Sequence, residues 1–408
     1  MATIDMVFEG GGAKGMAFVG ALRELFQHER VRVGRLLGTS SGAIMATLLA
    51  AGYTVKEMED ALVERDENGR PVFESFMGDP ATFSRETIDG SAIRTVLRNM
   101  NLPVVGGGLE EKIDDAIVSS LVTNELFRHI FSFVEQGGWY SAEAFVRWLQ
   151  NKLNTGSVDG IQRRYGESTL KQFFETTGKD LTLIAADTTG QRMLILNHRT
   201  APDVPVVRAA RMSMSIPLLW QEVIWQEEWG PYLFNKQEHD LTGHAIVDGG
   251  LLSTFPISLF LSDREDVMDV MGEPTTDNVL GVLIDEAKAV PGKPATRAST
   301  QAVDIGALRT ARRFHRIVDT ALSAHDRMAI ELYKQNIVRL PAKGYGTTQF
   351  DMTDEERSAL VNAAADAMRE FLQSRMSLLE TVGEEFEFSA AAPAVDLANT
   401  IAGEFMNQ

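Results

Sequence analysis

A serine flanked by glycines is the most chemically suggestive feature of the chain. Residues 38–42 read Gly-Thr-Ser-Ser-Gly, between a β-prone segment and a helical one. A serine on a tight strand-to-helix turn projects its Oγ above the sheet, and glycines such as Gly38 and Gly42 permit the close backbone approach. The turn also places Ser40 at a helix N-terminus, which favours negative charge. Because Ser40, unlike Ser41, has glycine two residues away on both sides, we predict Ser40 as a nucleophile.

A glycine-rich turn earlier in the chain also joins a β-prone segment to a helical one. It consists of Gly10, Gly11, Gly12, Ala13, Lys14 and Gly15. Consecutive glycines can point several backbone N–H groups into one concavity, which would bind an oxyanion or a phosphate. We therefore predict an oxyanion hole at Gly10, Gly11 and Gly12. Lys14 adds a positive charge that could hold an anionic substrate or simply cap the local structure.

The spacing of Gly10, Gly12 and Gly15 also matches a dinucleotide-binding fingerprint, so a nicotinamide-dependent oxidoreductase is an alternative. That fingerprint needs a carboxylate about 20 residues further on, at the end of the second strand. The second strand here ends at residues 37–40, which contain no carboxylate. A P-loop needs Ser or Thr after its lysine, whereas Gly15 follows Lys14. Both nucleotide-binding interpretations are therefore disfavoured.

A serine hydroxyl needs a base, and histidine is the usual partner. Four of the seven histidines lie in helical, charged surroundings: His28, His129, His315 and His325. His198 follows a β-prone segment and fits a polar loop. His239 and His244 lie around a predicted hairpin, and His244 would begin a strand at the end away from the catalytic edge. None of them has the context of a catalytic triad.

Asp248 is the better candidate for the base. It follows the apolar run 245–247 and precedes Gly249 and Gly250, so it would stand at the carboxyl end of a buried strand on a turn. In open α/β sheets, ligands bind at the carboxyl ends of the strands, where the two glycine motifs also lie. Asp-Gly alone is a common turn. In combination with the other two motifs, it predicts Asp248 as the base for Ser40.

The segments around these residues predict a parallel sheet. Residues 4–8 and 31–37 are β-prone, and each is followed by a glycine turn and a helical pattern. Strand–turn–helix units in succession indicate a parallel sheet with helices packed on it. Further strands are predicted at residues 181–186, 192–197, 245–247 and 279–284.

Two regions have a different pattern. Residues from about 60 to 165 predict a helical insertion, whose apolar stripe near residues 118–134 is typical of a core face. Helices are also predicted at residues 298–337 and 353–372, and Thr353 with Glu356 fits a capping box. From residue 373 the pattern weakens, so we predict one domain over 1–372 and a C-terminal tail over 373–408.

Composition limits the classes of function. The 408 residues, 44% apolar and 24% charged, suffice for a large α/β core, and the lack of cysteine excludes disulfides, thiolate metal sites and cysteine nucleophiles. A net charge of −18 opposes binding to nucleic acid or an anionic bilayer. One local basic cluster could still contact such a surface, although a solvated helix face is the favoured interpretation. The cluster consists of Arg309, Arg312, Arg313, His315 and Arg316.

The expected location is the cytoplasm. The N-terminal residues lack the basic start and long apolar run of a secretory signal, and no uninterrupted apolar stretch of about 18 residues predicts a membrane span. Contact with a membrane is expected to be peripheral at most. No regularly spaced carboxylate loop predicts a calcium site, so no metal is expected.

Together, the motifs at residues 10–15, 38–42 and 248–250 resemble, in this order, the three signatures of the patatin-like phospholipases. Lesser similarities lie at residues 186–190, 209–217 and 344–351. Residues 253–256 read Ser-Thr-Phe-Pro, where such enzymes often have asparagine before the apolar residue and proline. The resemblance runs from about residue 4 to residue 372, and the insertion matches least.

The resemblance implies a three-layer α/β sandwich, with a mostly parallel central sheet flanked by helices. It also implies a serine–aspartate dyad of Ser40 and Asp248, without a cofactor. The expected activity is lipid acyl hydrolysis of the phospholipase A or lysophospholipase type. Two alternatives remain open: hydrolysis of neutral glycerides or acyl thioesters, and a regulated effector whose lipase activity is latent until a protein or small-molecule activator binds.

Overall fold

A computed structural model gives the fold of residues 2–27, 31–81, 83, 87–88, 90–93, 125–293, 330, 333–382 and 392–407. The strands are β1 (Ala2–Phe8), β2 (Val31–Thr39), β3 (Gly138–Tyr140), β4 (Ser157–Val158), β5 (Ile161–Gln162), β6 (Leu181–Asp187), β7 (Arg192–Leu196), β8 (Leu218–Trp220), β9 (Val223–Ile224), β10 (Tyr232–Phe234), β11 (Gln237–His239), β12 (Ala245–Asp248), β13 (Val279–Asp285) and β14 (Ile337–Pro341). The helices are α1 (Ala17–Phe26), α2 (Ser41–Ala50), α3 (Val55–Leu62), α4 (Glu125–Glu135), α5 (Glu143–Leu153), α6 (Leu170–Thr177), α7 (Val206–Met214), α8 (Ser258–Leu261), α9 (Glu265–Met271), α10 (Asp354–Val382) and α11 (Ala392–Met406).

The central sheet has the strand order β14-β13-β1-β2-β6-β12-β9, and β7 also pairs with β6. The five strands from β14 to β6 are parallel, whereas β7 and β12 run antiparallel to β6. Parallel strands that are covered on both faces read as near-continuous apolar runs, as in β6 and β13. The predicted fold class is therefore confirmed.

Helices cover both faces of this sheet. Met6 and Phe8 of β1 belong to a core with residues of α1, α2 and α10, while Val7 between them belongs to a second core with residues of α8, α9 and α11. This alternation follows from the pleat, which turns successive side chains to opposite faces. The arrangement is the three-layer sandwich that the sequence predicts.

One edge of β6 is shared by two strands that run towards each other. Leu183 and Ile184 pair with both β2 and β7, and the residues after them pair with both β7 and β12. Consequently β2 and β12 lie end to end along the same edge. Thr39, the last residue of β2, pairs with Ile184, and Asp248, the last residue of β12, pairs with Ala185.

The described part of the insertion is largely helical and joins the main core through α5, where Phe145 and Leu149 are fully buried. Its predicted apolar stripe is only partly a core face. On α4, Phe131 is buried, whereas Ile130 is 39% and Val134 is 54% exposed. Helical spacing alone does not distinguish a buried face from an exposed one, which explains the difference. Residues 94–124, including the rest of the stripe, lie outside the described residues.

The predicted C-terminal tail over 373–408 is helical where the structure describes it. Helix α10 continues to Val382, and α11 packs on α8 and α9 through buried residues such as Ala398 and Ala402. Alanine gives little contrast between the faces of a helix, so the sequence pattern there is weak. The capping box is present, because Thr353 and Glu356 each accept a hydrogen bond from the other's backbone N–H.

Two expectations concern contact with lipid. Within the described ranges, no helix combines the length and the apolar character needed to cross a bilayer. The basic cluster at residues 309–316 lies outside the described residues, as do most of the helical residues predicted between 298 and 337.

Close contact between α1 and α10 yields a test of the packing. A Cβ at Gly20 would lie 1.9 Å from the carbonyl oxygen of Val361. We expect Gly20→Ala to lower the free energy of unfolding by about 1–3 kcal/mol, although alanine favours isolated helices. Gly403→Ala on α11 is the control, because its Cβ would meet only the flexible end of Arg264 at 3.0 Å. Urea denaturation measures both, and an unchanged stability of Gly20→Ala would contradict this packing.

Candidate active site

Ser40 stands on a strained elbow between β2 and α2. Its backbone angles are φ 55° and ψ −121°, a left-handed conformation that is costly for a residue with a Cβ. The flanking glycines leave no room for side chains. A Cβ at Gly38 would lie 2.3 Å from the carbonyl oxygen of Gly42, and a Cβ at Gly42 would lie 2.2 Å from that of Phe8. The local sequence therefore builds the sharp turn that presents the Ser40 hydroxyl.

Asp248 ends β12 and is 2% exposed. Its carboxylate accepts hydrogen bonds from the backbone N–H of Gly250, at 2.7 Å, and from the Ser40 hydroxyl. Burial raises the pKa of Asp248 to about 7, and the hydrogen bonds from Ser40 and Gly250 oppose this shift without cancelling it. The Asp248 carboxyl can therefore exchange a proton near neutral pH.

The structure brings Ser40 and Asp248 together by a route that the sequence argument did not foresee. The prediction placed Asp248 at the carboxyl edge of a parallel sheet, but β12 runs antiparallel to β6. Asp248 instead approaches Ser40 from the opposite strand direction, because β2 and β12 end at neighbouring positions of β6. Gly249 permits this approach, since a Cβ there would lie 2.4 Å from the carbonyl oxygen of Ile184.

Three of the histidines that the sequence analysis set aside contact other groups. His244 Nδ1 is 2.9 Å from an Asp187 carboxylate oxygen, and the His198 ring stacks on Phe174 with centroids 3.7 Å apart. His129 Nδ1 donates to the carbonyl of Trp139 at 2.8 Å. Among the described residues, neither a histidine nor a cation shifts the pKa of Asp248.

In the glycine-rich turn, two of the three predicted donors are already engaged. The backbone N–H of Gly10 donates to the Thr254 carbonyl at 2.9 Å, and that of Gly11 donates to Ser41 Oγ at 3.0 Å. Gly12, at φ 56°, lines the cavity beside Ser40. The geometry therefore favours the backbone N–H of Gly12 as the oxyanion donor. Gly10 lies close to the nucleophile, since a Cβ at Gly10 would be 3.2 Å from the Cβ of Ser40.

The rest of this turn is held by the C-terminal part of the chain. The backbone N–H of Ala13 donates to the Thr347 carbonyl at 2.8 Å, and a Cβ at Gly12 would collide with the same oxygen at 2.1 Å. Lys14 is buried and forms an ion pair with Glu286, which contradicts neither of its two expected roles. Gly15 allows this turn to approach the start of α2, because a Cβ there would be 2.6 Å from the Cβ of Ser41.

An apolar cavity adjoins Ser40. Ser40 and Ser41 supply its hydroxyl groups. Apolar side chains of α2, α3, α5 and the 3-10 helix Val72–Met77 form the walls, among them Leu48, Ala61, Phe73, Phe76 and Trp148. Nothing in their residue types marks these residues in the sequence, because apolar residues at helical spacing are equally typical of an ordinary core. For Ala61, Phe73, Phe76 and Trp148, the available signal was their position in the predicted insertion.

One group among the described residues could hold a metal ion. Ligand atoms of Asp79, Glu125 and His129 lie within 4.8 Å of one another. His129 Nε2 is 3.2 Å from an Asp79 carboxylate oxygen, so an ion pair also accounts for this arrangement. Neither Ser40 nor Asp248 belongs to the group.

A mostly parallel sheet, a serine on a strand-to-helix elbow and an adjoining apolar cavity define the class of α/β lipid hydrolases. The model of the patatin-like phospholipase family matches residues 6–261, and the chain belongs to this family. The resemblance drawn from the three motifs is thereby confirmed.

Several individual proteins resemble the chain at low sequence identity. The protein YqhO of Bacillus subtilis strain 168, itself uncharacterized, is 28% identical over 377 residues, which are 91% of this chain and 98% of that protein. A probable lipid hydrolase, 463L, of Invertebrate iridescent virus 6 is 23% identical over 257 residues, 62% of each chain. The solved structure of VipD from Legionella pneumophila has 16% identity and a TM-score of 0.42, covering 91% of this chain and 67% of that one.

The burial of Asp248 has a measurable effect on stability. Between pH 4 and pH 7, roughly, the unfolded chain has lost a proton that the folded carboxyl retains, so this group makes the folded state less stable as the pH rises. Asp248→Asn removes the effect. We expect the variant's stability relative to wild type to increase by about 2 kcal/mol between pH 5 and pH 7 and to level off above about pH 8. Urea denaturation across this range measures it, and a pH-independent difference would contradict the raised pKa.

Proposed function

We propose that the chain hydrolyses fatty acyl esters of lipids, as a phospholipase A or lysophospholipase, through an acyl-enzyme on Ser40. The observation that carries this proposal is the contact of a strained, cavity-facing serine with a fully buried carboxyl whose pKa is about 7. A general base is most effective when its pKa lies near the working pH. An ordinary aspartate would be too weak a base for this role.

In the first half of the reaction, Ser40 Oγ attacks the ester carbonyl carbon while the Asp248 carboxylate takes its proton. The tetrahedral intermediate collapses, its bond to the alcohol breaks, and Asp248 returns the proton to the leaving alkoxide. In the second half, water attacks the acyl-enzyme while Asp248 takes its proton. The bond between the acyl carbon and Ser40 Oγ then breaks, Asp248 returns the proton to Oγ, and the fatty acid leaves. The dyad therefore ends each cycle in its starting state.

Negative charge on the carbonyl oxygen needs a donor fixed in advance. We assign this role to the Gly12 backbone N–H, because Gly12 lines the cavity and the N–H groups of Gly10 and Gly11 donate to other acceptors. The hydrogen bond from the neighbouring Ala13 N–H to the Thr347 carbonyl holds this part of the turn in place.

The cavity is suited to the acyl part of the substrate. An alkyl chain requires an apolar channel without unpaired polar groups, and aromatic side chains of Phe73, Phe76 and Trp148 belong to the wall. The indole N–H of Trp148 is directed to Glu64 at 3.1 Å, so it adds no unpaired donor. Neutral glycerides and acyl thioesters carry the same acyl part as phospholipids. They differ in the leaving group, so assays on defined liposomes distinguish these substrate classes.

The nucleophile and the base can be tested directly. We expect Ser40→Ala and Asp248→Asn each to lower turnover of a p-nitrophenyl or phospholipid ester by about 10³-fold or more, because each removes one member of the unit. A fluorophosphonate probe followed by peptide mapping should label Ser40 in the wild type. Ser41→Ala is the matched control and should still be labelled at Ser40. Substantial turnover by Asp248→Asn would exclude the proposed base.

Acyl-chain length can be tested through Ala61, which is buried on α3 in the cavity wall. We expect Ala61→Phe to shorten the cavity and to lower kcat/KM for p-nitrophenyl palmitate by about tenfold or more, since several buried methylenes lose their place. The acetate ester, which does not need the channel, is the internal control and should be hydrolysed at nearly the wild-type rate. Equal losses for both esters would show that the acyl chain binds elsewhere.

A further inference from the structure

The C-terminal end of α7 lies against both members of the dyad. Ser213, in the last turn of this helix, is 0% exposed and has no role in the mechanism above. The cavity is lined by its neighbour Met214 and by Ile216, but not by Ser213 itself. The Ser213 hydroxyl therefore needs an explanation other than contact with the substrate.

The Ser213 hydroxyl connects the elbow to the sheet. Its Oγ accepts a hydrogen bond from the backbone N–H of Ser40 at 3.0 Å and donates one to the Ile184 carbonyl at 2.5 Å. Ile184 is the residue of β6 that pairs with Thr39 at the end of β2. The hydroxyl thus ties the first residue beyond β2 to the position of β6 where β2 stops.

This bond holds a backbone that would otherwise relax. The angles of Ser40 are unfavourable for a residue with a side chain, so they persist only where surrounding contacts hold them. Without the Ser213 hydroxyl, the Ser40 N–H would be buried without an acceptor. A small rotation of the elbow would relieve both problems and would move Oγ away from the attacking position.

The same segment also holds the base. The Ser215 carbonyl accepts the backbone N–H of Asp248 at 2.9 Å. The buried guanidinium of Arg211 donates to Ser215 Oγ and, at 2.6 Å, to the Gln221 carbonyl. One short stretch of chain therefore holds the backbone on both sides of the dyad.

We propose that Ser213 is a positioning residue, whose hydroxyl keeps the Ser40 elbow in its reactive conformation. The inference rests on the proposed function, because it assigns Ser213 a role in the reactivity of Ser40. It predicts that loss of the hydroxyl slows the attack by Ser40 without weakening substrate binding.

The experiment compares Ser213→Ala with Ser132→Ala in the full chain. Ser132 is a close match, since it is 0% exposed, donates to the Gly138 carbonyl at 2.5 Å and accepts from Gln221 Nε2 at 2.8 Å. Each variant is treated with a fluorophosphonate probe, and the pseudo-first-order rate of labelling is measured. That rate reports the reactivity of folded molecules, while the final extent of labelling reports the folded fraction.

We expect Ser213→Ala to lower the labelling rate and the kcat for a p-nitrophenyl ester roughly ten- to thirtyfold, the loss that one buried hydrogen bond can cause. KM should stay within about twofold, because the cavity wall is unchanged. Ser132→Ala should match the wild type in both rates, whatever its stability. Ser213→Cys retains a weak donor and acceptor of similar size, so its rates should be intermediate.

A wild-type labelling rate in Ser213→Ala overturns the inference. If Ser213→Ala yields no folded protein, Ser213→Cys is used in its place. A wild-type labelling rate in Ser213→Cys would then overturn the inference. An equal loss of rate in Ser132→Ala also overturns it, since the effect would then be general to buried serines. Failure of the probe to label Ser40 in the wild type is a different result, which overturns the proposed function and the inference with it.

Discussion

The candidate site depends on one constraint, which is that a single edge of β6 pairs with two strands approaching from opposite directions. Strand β2 ends opposite Ile184 and β12 ends opposite Ala185, so the residues that close them lie side by side. Ser40 and Asp248 are 208 positions apart in the sequence. They nevertheless lie close in space, because the strands that carry them end opposite consecutive residues of β6. The surrounding glycines then remove the side chains that would keep the two strand ends apart.

Strain and desolvation act together at this point. The elbow holds Ser40 in an unfavourable backbone conformation, and burial keeps the Asp248 carboxyl partly protonated at neutral pH. Both conditions cost stability, and both make the pair more reactive. The large cores on the two faces of the sheet supply the free energy that allows the fold to keep such a site.

The sequence predicts the parts of this site that follow from local chemistry. Glycines around Ser40 indicate a sharp turn whatever the rest of the chain does, and the β-prone runs indicate a sheet covered on both faces. The direction of β12 was not predictable, because a strand of four residues carries no mark of its orientation and takes it from β6. The cavity wall was also missed, and Ser213 was noted only as part of the similar stretch 209–217, since these residue types are ordinary in a core and their roles depend on partners distant in sequence.

The contact between the glycine-rich turn and Thr347 has a consequence for synthesis of the protein. The glycine-rich turn spans residues 10–15, yet the carbonyl that holds it belongs to Thr347, which is made only after Asp248, as is the cavity residue Phe350. A ribosome-bound chain has already exposed Ser40 and Asp248 while this last support is still missing. The nascent protein therefore lacks the support of this turn until Thr347 has been made, and a chain that terminates before this residue has an unfinished turn.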